Sequence, residues 1–260
     1  MEARQTCALS AVSQPTGPNN HTPFSFALRI GGETLDISGS VPAGECRTTD
    51  LVPLLLGLCE AITGAAVRGL PNTQRVSCGP GCGACCRQLV PISHTEAAWL
   101  SHKVLPGLDP AHRERVDSRI REAAAILETS GLTDAIRGLP AEPDPELRQS
   151  TGLRYFLAGI PCPFLENDSC SIHPQRPLAC REYLVTSPAA ACSHPEPGVI
   201  SPVPIPLKPS HALIRLDAES TASPGWRTMP DSLTDPKLPT DRPVPDPIGF
   251  LRNFLDRLVS

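Results

Sequence analysis

Eight of the eleven cysteines fall into two groups of four. Cys78, Cys82, Cys85 and Cys86 stand in SCGPGCGACC. Cys162, Cys170, Cys180 and Cys192 follow in a stretch that opens with PCPFLENDSC and runs through RPLACR, with seven, nine and eleven residues between successive members. Thiolates are metal ligands. Thiols at this density, in a chain without an evident export signal, point to a thiolate-ligated metal rather than to disulfides. The bland alternative is a set of buried, unliganded thiols or disulfides.

The two groups differ in what they demand of the fold. The first packs four sulfurs into nine residues, and Gly79, Gly81 and Gly83 let that loop turn tightly and aim backbone N–H groups at sulfur. The second is too widely spaced to close without folded structure between its members. Two arrangements fit. Each group holds its own tetrahedral ion, or the groups interleave around a shared centre, binuclear zinc or an iron–sulfur cluster. The vicinal pair Cys85-Cys86 favours interleaving, because adjacent side chains diverge and one ion rarely takes both. Four thiolates on a divalent ion leave a net charge of about −2, so donors and cations are needed nearby. Arg87, Arg176 and Arg181 adjoin ligand positions and can supply them.

The remaining candidates are weaker. Cys192 follows a run of small residues. Cys7, Cys46 and Cys59 lie outside both groups and read as ordinary cysteines without a metal role. His173, three residues after Cys170, is the best non-sulfur ligand candidate, and His194 the next. His94 opens a helix and is expected in solvent. Arg181-Glu182 reads as part of a salt-bridge network rather than an acid/base pair. No Ser/His/Asp order, phosphate-binding glycine loop or dinucleotide fingerprint occurs.

The elements that must position these residues are mostly helical. Residues 1–22 are polar, rich in Pro and Asn, and expected to be disordered. In residues 23–75, FSFALRI and ETLDISGSV flank Gly31-Gly32 as a hairpin, and Leu51, Leu54, Leu55, Leu58, Ile62 and Ala65 mark a helix over about 51–68. Thr48, Thr49 and Asp50 are its candidate caps. In the cysteine region, 76–195, Ser93 and Glu96 form a capping box for a helix near 94–104. Asp109-Pro110 and Asp144-Pro145 start two more. The first shows one face through Val116, Ile120, Ala123, Ala124 and Leu127, with Gly131 as its C-cap. The second carries Leu147, Tyr155, Phe156 and Leu157 toward the second cysteine group. LACREYLV is a short helix. Residues 196–260 are expected to be Pro-rich irregular chain, with HALIRLDA as one strand and IGFLRNFLDRLVS as a terminal helix. The fold class is α+β: a mostly α-helical cysteine-cluster domain, a small N-terminal β-hairpin-helix unit and a Pro-rich C-terminal region.

Composition bounds the rest. At 260 residues the chain holds one sizeable domain or two small ones. Hydrophobic residues make up 40% but aromatics only 4%, so the core rests on Leu, Ile, Val and Ala. The 31 prolines exceed the roughly 5% of average chains and require extended segments. A formal charge of −4 offers no basic field for nucleic acid or anionic membrane. The apolar run Leu51–Leu58 is too short to span a bilayer. The N-terminus lacks a positive region leading into an apolar run, so the expected location is cytoplasmic.

CGPGCGACCRQLVPISHTEAAWL and PCPFLENDSCSIHPQRPLACREY resemble the YkgJ-type, CxxCxxCC family of zinc- or iron-chelating domains, over about residues 76–195. His173 departs from the pattern, which has an aromatic residue there. The resemblance implies metal chelation by the eight clustered cysteines, with zinc or iron, including an iron–sulfur cluster, as the cofactor and with no established reaction. A related branch, the flagellin lysine N-methylases, implies a second reading, an iron–sulfur enzyme that modifies protein side chains. No motif for S-adenosylmethionine accompanies it. A third is a zinc-stapled module whose hairpin-helix unit or Pro-rich tail holds a protein partner.

Overall fold

A computed structural model describes residues 8–11, 20–30, 32–79, 81–140, 142–194, 198–221, 226–235 and 240–260. Most of the segment expected to be disordered, Cys7 included, lies outside these residues. Ala8–Ala11 does not fit that expectation: it forms a strand, β1. It pairs antiparallel with β2 (His21–Ile30), which pairs with β3 (Glu33–Pro42), giving the order β1-β2-β3. The hairpin is the one expected. Ile30 pairs with Glu33, and Gly32 between them takes φ +89°, which a residue with a Cβ adopts only under strain. Period-2 alternation puts Phe24, Phe26, Leu28 and Ile30 into the core.

Helix α1 (Thr48–Arg68) begins three residues earlier than the apolar spacing indicates. Its first turn is satisfied from far along the chain: Asp241 accepts from Thr48 Oγ1, Thr49 N and Thr49 Oγ1. A short strand pair, β4 (Cys46–Arg47) with β9 (Pro243–Val244), fixes that meeting. By length and composition α1 is long and apolar enough to cross a membrane, unlike the eight-residue run within it. Its apolar face, with Leu51, Leu55, Leu58 and Ile62, is packed in the protein core.

The capping box of Ser93 and Glu96 is present, and α2 (His94–Trp99) continues as a π turn over Leu100–Val104. Strand β5 (Pro91–Ile92) precedes it. Asp109 caps α3 (Pro110–Thr129), and Val116, Ile120, Ala123 and Leu127 are its buried face. The last residue of the cap is Ser130, and Gly131, at φ +66°, turns the chain into α4 (Leu132–Arg137). Asp144 caps α5 (Pro145–Leu157). Of the residues expected to face the second cysteine group, Tyr155 is buried, whereas Leu147 and Leu157 are 46% and 73% exposed.

The C-terminal third departs most from expectation. HALIRLDA is not a strand but lies within α7 (Pro209–Thr221). Ala212, Leu213, Ile214 and Asp217 are fully buried, and only a narrow stripe through His211, Arg215 and Glu219 is left toward the surface. The Pro-rich segment before it is ordered chain with Val203, Ile205 and Leu207 in the core. Strand β8 (Arg227–Thr228) pairs with β5, α8 (Met229–Thr234) follows, and α9 (Pro247–Val259) is the expected terminal helix. One core runs through β2, α1, α2, α7, α9 and Phe164, Ile172 and Leu178 of the second cysteine stretch. A second gathers α3, α4 and Tyr155 around Ile214 and Trp226.

Candidate metal centre

The first cysteine loop is built by short turns. Cys82 N donates to Gly79 O, and a 3-10 turn over Ala84–Arg87 carries Cys85 and Cys86. The loop lies against a hairpin of the second stretch, β6 (Leu165–Glu166) and β7 (Ser169–Cys170). Asn167 and Asp168, both at positive φ, make its two-residue turn, as hairpins of this length require. Gly83 is the contact point. A Cβ there would stand 2.5 Å from Leu165 Cδ1 and 2.6 Å from Asp168 O, so no larger residue fits. Arg87 pairs with Asp168 at 3.4 Å across the same seam, and Cys162 N donates to Cys86 O at 2.7 Å.

Cys180 arrives on α6 (Leu178–Glu182), and Cys192 on a 3-10 turn over Ala189–Ser193. The chain leaving α6 is tied to the first group: Ser77 N donates to Val185 O at 3.0 Å, and Val185 N donates to Cys78 Sγ at 3.4 Å. Gln88, just after the first group, donates to Cys192 O at 2.9 Å.

The thiols of the two stretches bear on one another's titration. Burial raises the Cys162 thiol to about 12, with Cys170 and Cys85 adding to the rise. Cys170 is raised by burial and then by Cys85, and Cys180 well above its ordinary value by burial and then by Cys162, Cys85 and Cys170. Cys192 is raised by burial and feels Cys85, Cys78 and Cys82. Cys85 itself is raised first by its hydrogen bond with Cys86 and then by burial. Thiols that raise one another occupy one electrostatic neighbourhood, and a cation at its centre would reverse the shifts. What the geometry itself shows is that the two cysteine-bearing stretches touch, at Cys86 with Cys162, Cys78 with Val185 and Gly83 with the β6–β7 turn. All ten described cysteines are free.

The flanking arginines divide the work. Arg176 lowers Cys85, Cys170 and Cys180 and leaves its buried Nε without a hydrogen-bond partner. It is the counter-charge. Arg181 is 5% exposed and engaged with backbone and Glu60: its Nε donates to Arg176 O at 3.0 Å, and its other nitrogens reach Glu60 and Pro174 O. It holds the backbone between Cys170 and Cys180. Glu182 is not its partner; it bonds Ser210.

Other expectations change. His94 is not in solvent but 5% exposed, with Nε2 unpartnered, and burial lowers its pKa. The exposed His173 lies beside Arg176 and Arg181, and His194 is also exposed. Cys46 sits in β4, and the buried Cys59 contacts Leu178 O at 3.9 Å from within α1. Tyr183 was missed. Its hydroxyl bonds the Cys192 sulfur and Gln88, and burial raises it to about 12. Its place three residues after Cys180 was the available signal.

Among the described residues no three His, Cys, Asp or Glu side chains already stand as a closed ligand set. The fit to a metal rests on donor chemistry: soft thiols, partly buried, converging from several turns beside one arginine. Residues 77–196 match the model of the CxxCxxCC family, described as "Putative zinc- or iron-chelating domain". That stretch spans both cysteine groups, and the resemblance drawn from their residues holds. No curated protein and no solved structure matches the chain.

Proposed function

We propose that the protein binds zinc or iron at a single centre shared by the two cysteine groups, with Cys78, Cys82, Cys85, Cys86, Cys162, Cys170, Cys180 and Cys192 as the ligand pool. The observation that carries this reading is the contact between the two cysteine stretches: Cys162 N donates to Cys86 O, Val185 N donates to Cys78 Sγ, and Gly83 lies against the hairpin that carries Cys170. One tetrahedral ion takes four thiolates, so eight around one focus suit a binuclear or iron–sulfur centre. The clustered cysteines would hold the metal as thiolates, whose deprotonation its positive charge would favour. Arg176 offsets the remaining negative charge, and the Tyr183 hydroxyl donates to Cys192. Free thiols throughout the described residues suit a reducing compartment, the cytoplasm.

Anaerobic purification followed by zinc, iron and sulfide counts tests the reading. Metal at one or more equivalents per chain is expected, lost in Cys85→Ala. Two separate ions, of which Cys85→Ala removes only one, would refute the shared centre. A metal-free parent would refute the function. Because metal binding is coupled to folding, on the order of 10 kcal/mol for structural zinc in small domains, chelation should lower the melting temperature markedly.

A further inference from the structure

Three buried carboxylates close a ring between helices. Glu96 of α2 accepts from Leu178 N, the first residue of α6, at 2.8 Å, and from Ser93 N at 3.0 Å. Glu182 of α6 accepts from Ser210 N and Oγ, in the first turn of α7, at 2.7 and 2.6 Å. Asp217 of α7 accepts from Thr95 N and Oγ1, in the first turn of α2, at 2.7 and 3.0 Å. Each helix thus caps the next, and the third caps the first. Glu96, Glu182 and Asp217 are 1%, 6% and 0% exposed. Buried carboxylates are costly unless fully bonded, and first-turn amides are orphans that need an acceptor. The ring meets both demands at once.

One link of this ring touches the cysteine site. Helix α6 starts after Pro177, which has no side chain able to cap it. Glu96 supplies the missing acceptor, two residues before Cys180. We propose that Glu96 is a positioning residue of the metal centre: it sets the register and depth of α6, and through it the place of the Cys180 sulfur. This rests on the metal-binding reading for its purpose, but the geometry it describes holds in the metal-free chain as well. It also gives α7, outside the matched family stretch, a part in the site, because α7 anchors both neighbours of Glu96 in the ring.

The test uses the full chain. In Glu96→Gln one carboxylate oxygen becomes an NH2 group, which cannot accept, so either Ser93 N or Leu178 N loses its partner. Alkylation of the metal-free protein by iodoacetamide, resolved by cysteine, should be faster at Cys180 by about tenfold while Cys192 changes little, and zinc affinity against a chromophoric chelator should fall by about tenfold to a hundredfold. Asp231→Asn is the control. It breaks part-buried ion pairs to Arg137 and Arg227, far from the cysteines in the chain, and should lower stability without selecting Cys180. If Glu96→Gln speeds Cys180 no more than Cys192, or Asp231→Asn gives the same profile, Glu96 is merely structural and the inference is overturned. A parent that binds no metal refutes the function, while the alkylation pattern still decides the role of Glu96. Should Glu96→Gln not fold, Glu96→Asp keeps the charge but is too short to span both amides, and the same Cys180 selectivity is expected. In the parent, Leu178 N must be among the slowly exchanging amides; rapid exchange overturns the inference whatever the variants do.

Discussion

Gly83→Ala is the sharpest probe of how the two cysteine groups are joined. The backbone at Gly83, φ −104° and ψ 11°, is open to any residue, so the substitution introduces no conformational strain. What it introduces is a methyl group 2.5 Å from Leu165 Cδ1, 2.6 Å from Asp168 O and 2.9 Å from Asp168 C. Leu165 can rotate, but the Asp168 backbone belongs to a two-residue hairpin turn and cannot move alone. Either the loop carrying Cys82–Cys86 lifts off the hairpin carrying Cys170, or the hairpin shifts as a body. Overpacking of this kind costs about 1–3 kcal/mol, and the backbone contact places this case near the upper end. For a chain of this size the melting temperature of the metal-free protein should drop by about 4–10 °C. Gly79→Ala, in the same loop with nothing within 4 Å, is the matched control and should lie within about 1 kcal/mol of the parent. Thermal and urea unfolding of metal-free samples measure both. The reasoning also requires a weaker metal site in Gly83→Ala than in Gly79→Ala, because only the former separates Cys85 from Cys170. Indistinguishable variants would show that the loop and hairpin are not in contact in solution.

Replacing Cys46 and Cys59 together by Ala should leave metal stoichiometry unchanged, as should replacing Cys7; loss of an equivalent would put one of them in the ligand set. Arg176→Met should slow alkylation of Cys170 in the metal-free protein, since the cation that favours its thiolate is gone, whereas Arg181→Met should instead cost about 1–3 kcal/mol of stability through two freed carbonyls. Equal effects of the two on alkylation would undo the division between them. Burial holds His94 below its ordinary 6.5, with Asp217 opposing and Arg227 and Arg242 reinforcing and Asp235 opposing. A base whose folded pKa is depressed contributes stability above the unfolded value and loses it as pH falls toward the folded one, here by up to about 1.4 kcal/mol per pH unit below 6.5. Relative to His94→Gln, the metal-free parent should therefore lose urea resistance with acid through that window, while Glu182, which burial raises to about 7, adds the opposite trend to both; parallel slopes would mean that His94 is solvated.

The metal-chelating character of the cysteine stretch was legible because its chemistry is local and unusual. Thiols in two dense runs point to metal chelation wherever they stand, and the capping signals Ser93-x-x-Glu96, Asp109-Pro110 and Asp144-Pro145 act within a single turn, so the residues alone carry them. The hairpin at Gly31-Gly32 and the terminal helix were readable for the same reason: alternation and helical spacing are properties of one element facing one core. HALIRLDA was not readable. Over these eight residues the polar stripe comes down to His211 and Arg215, and the buried Asp217 blurs it, so the pattern does not separate a helix from a strand. His94 was misplaced because a helix start is usually wet, and only the packing of α7 and β8 against it removes the water. The contacts between the two cysteine stretches, the reach of Arg181 to Glu60 and the carboxylate ring through Glu96, Glu182 and Asp217 all join residues tens of positions apart. No local propensity encodes them. They follow from which helices share the interior, because a buried charge or orphan amide takes whatever partner the packed chain brings to it.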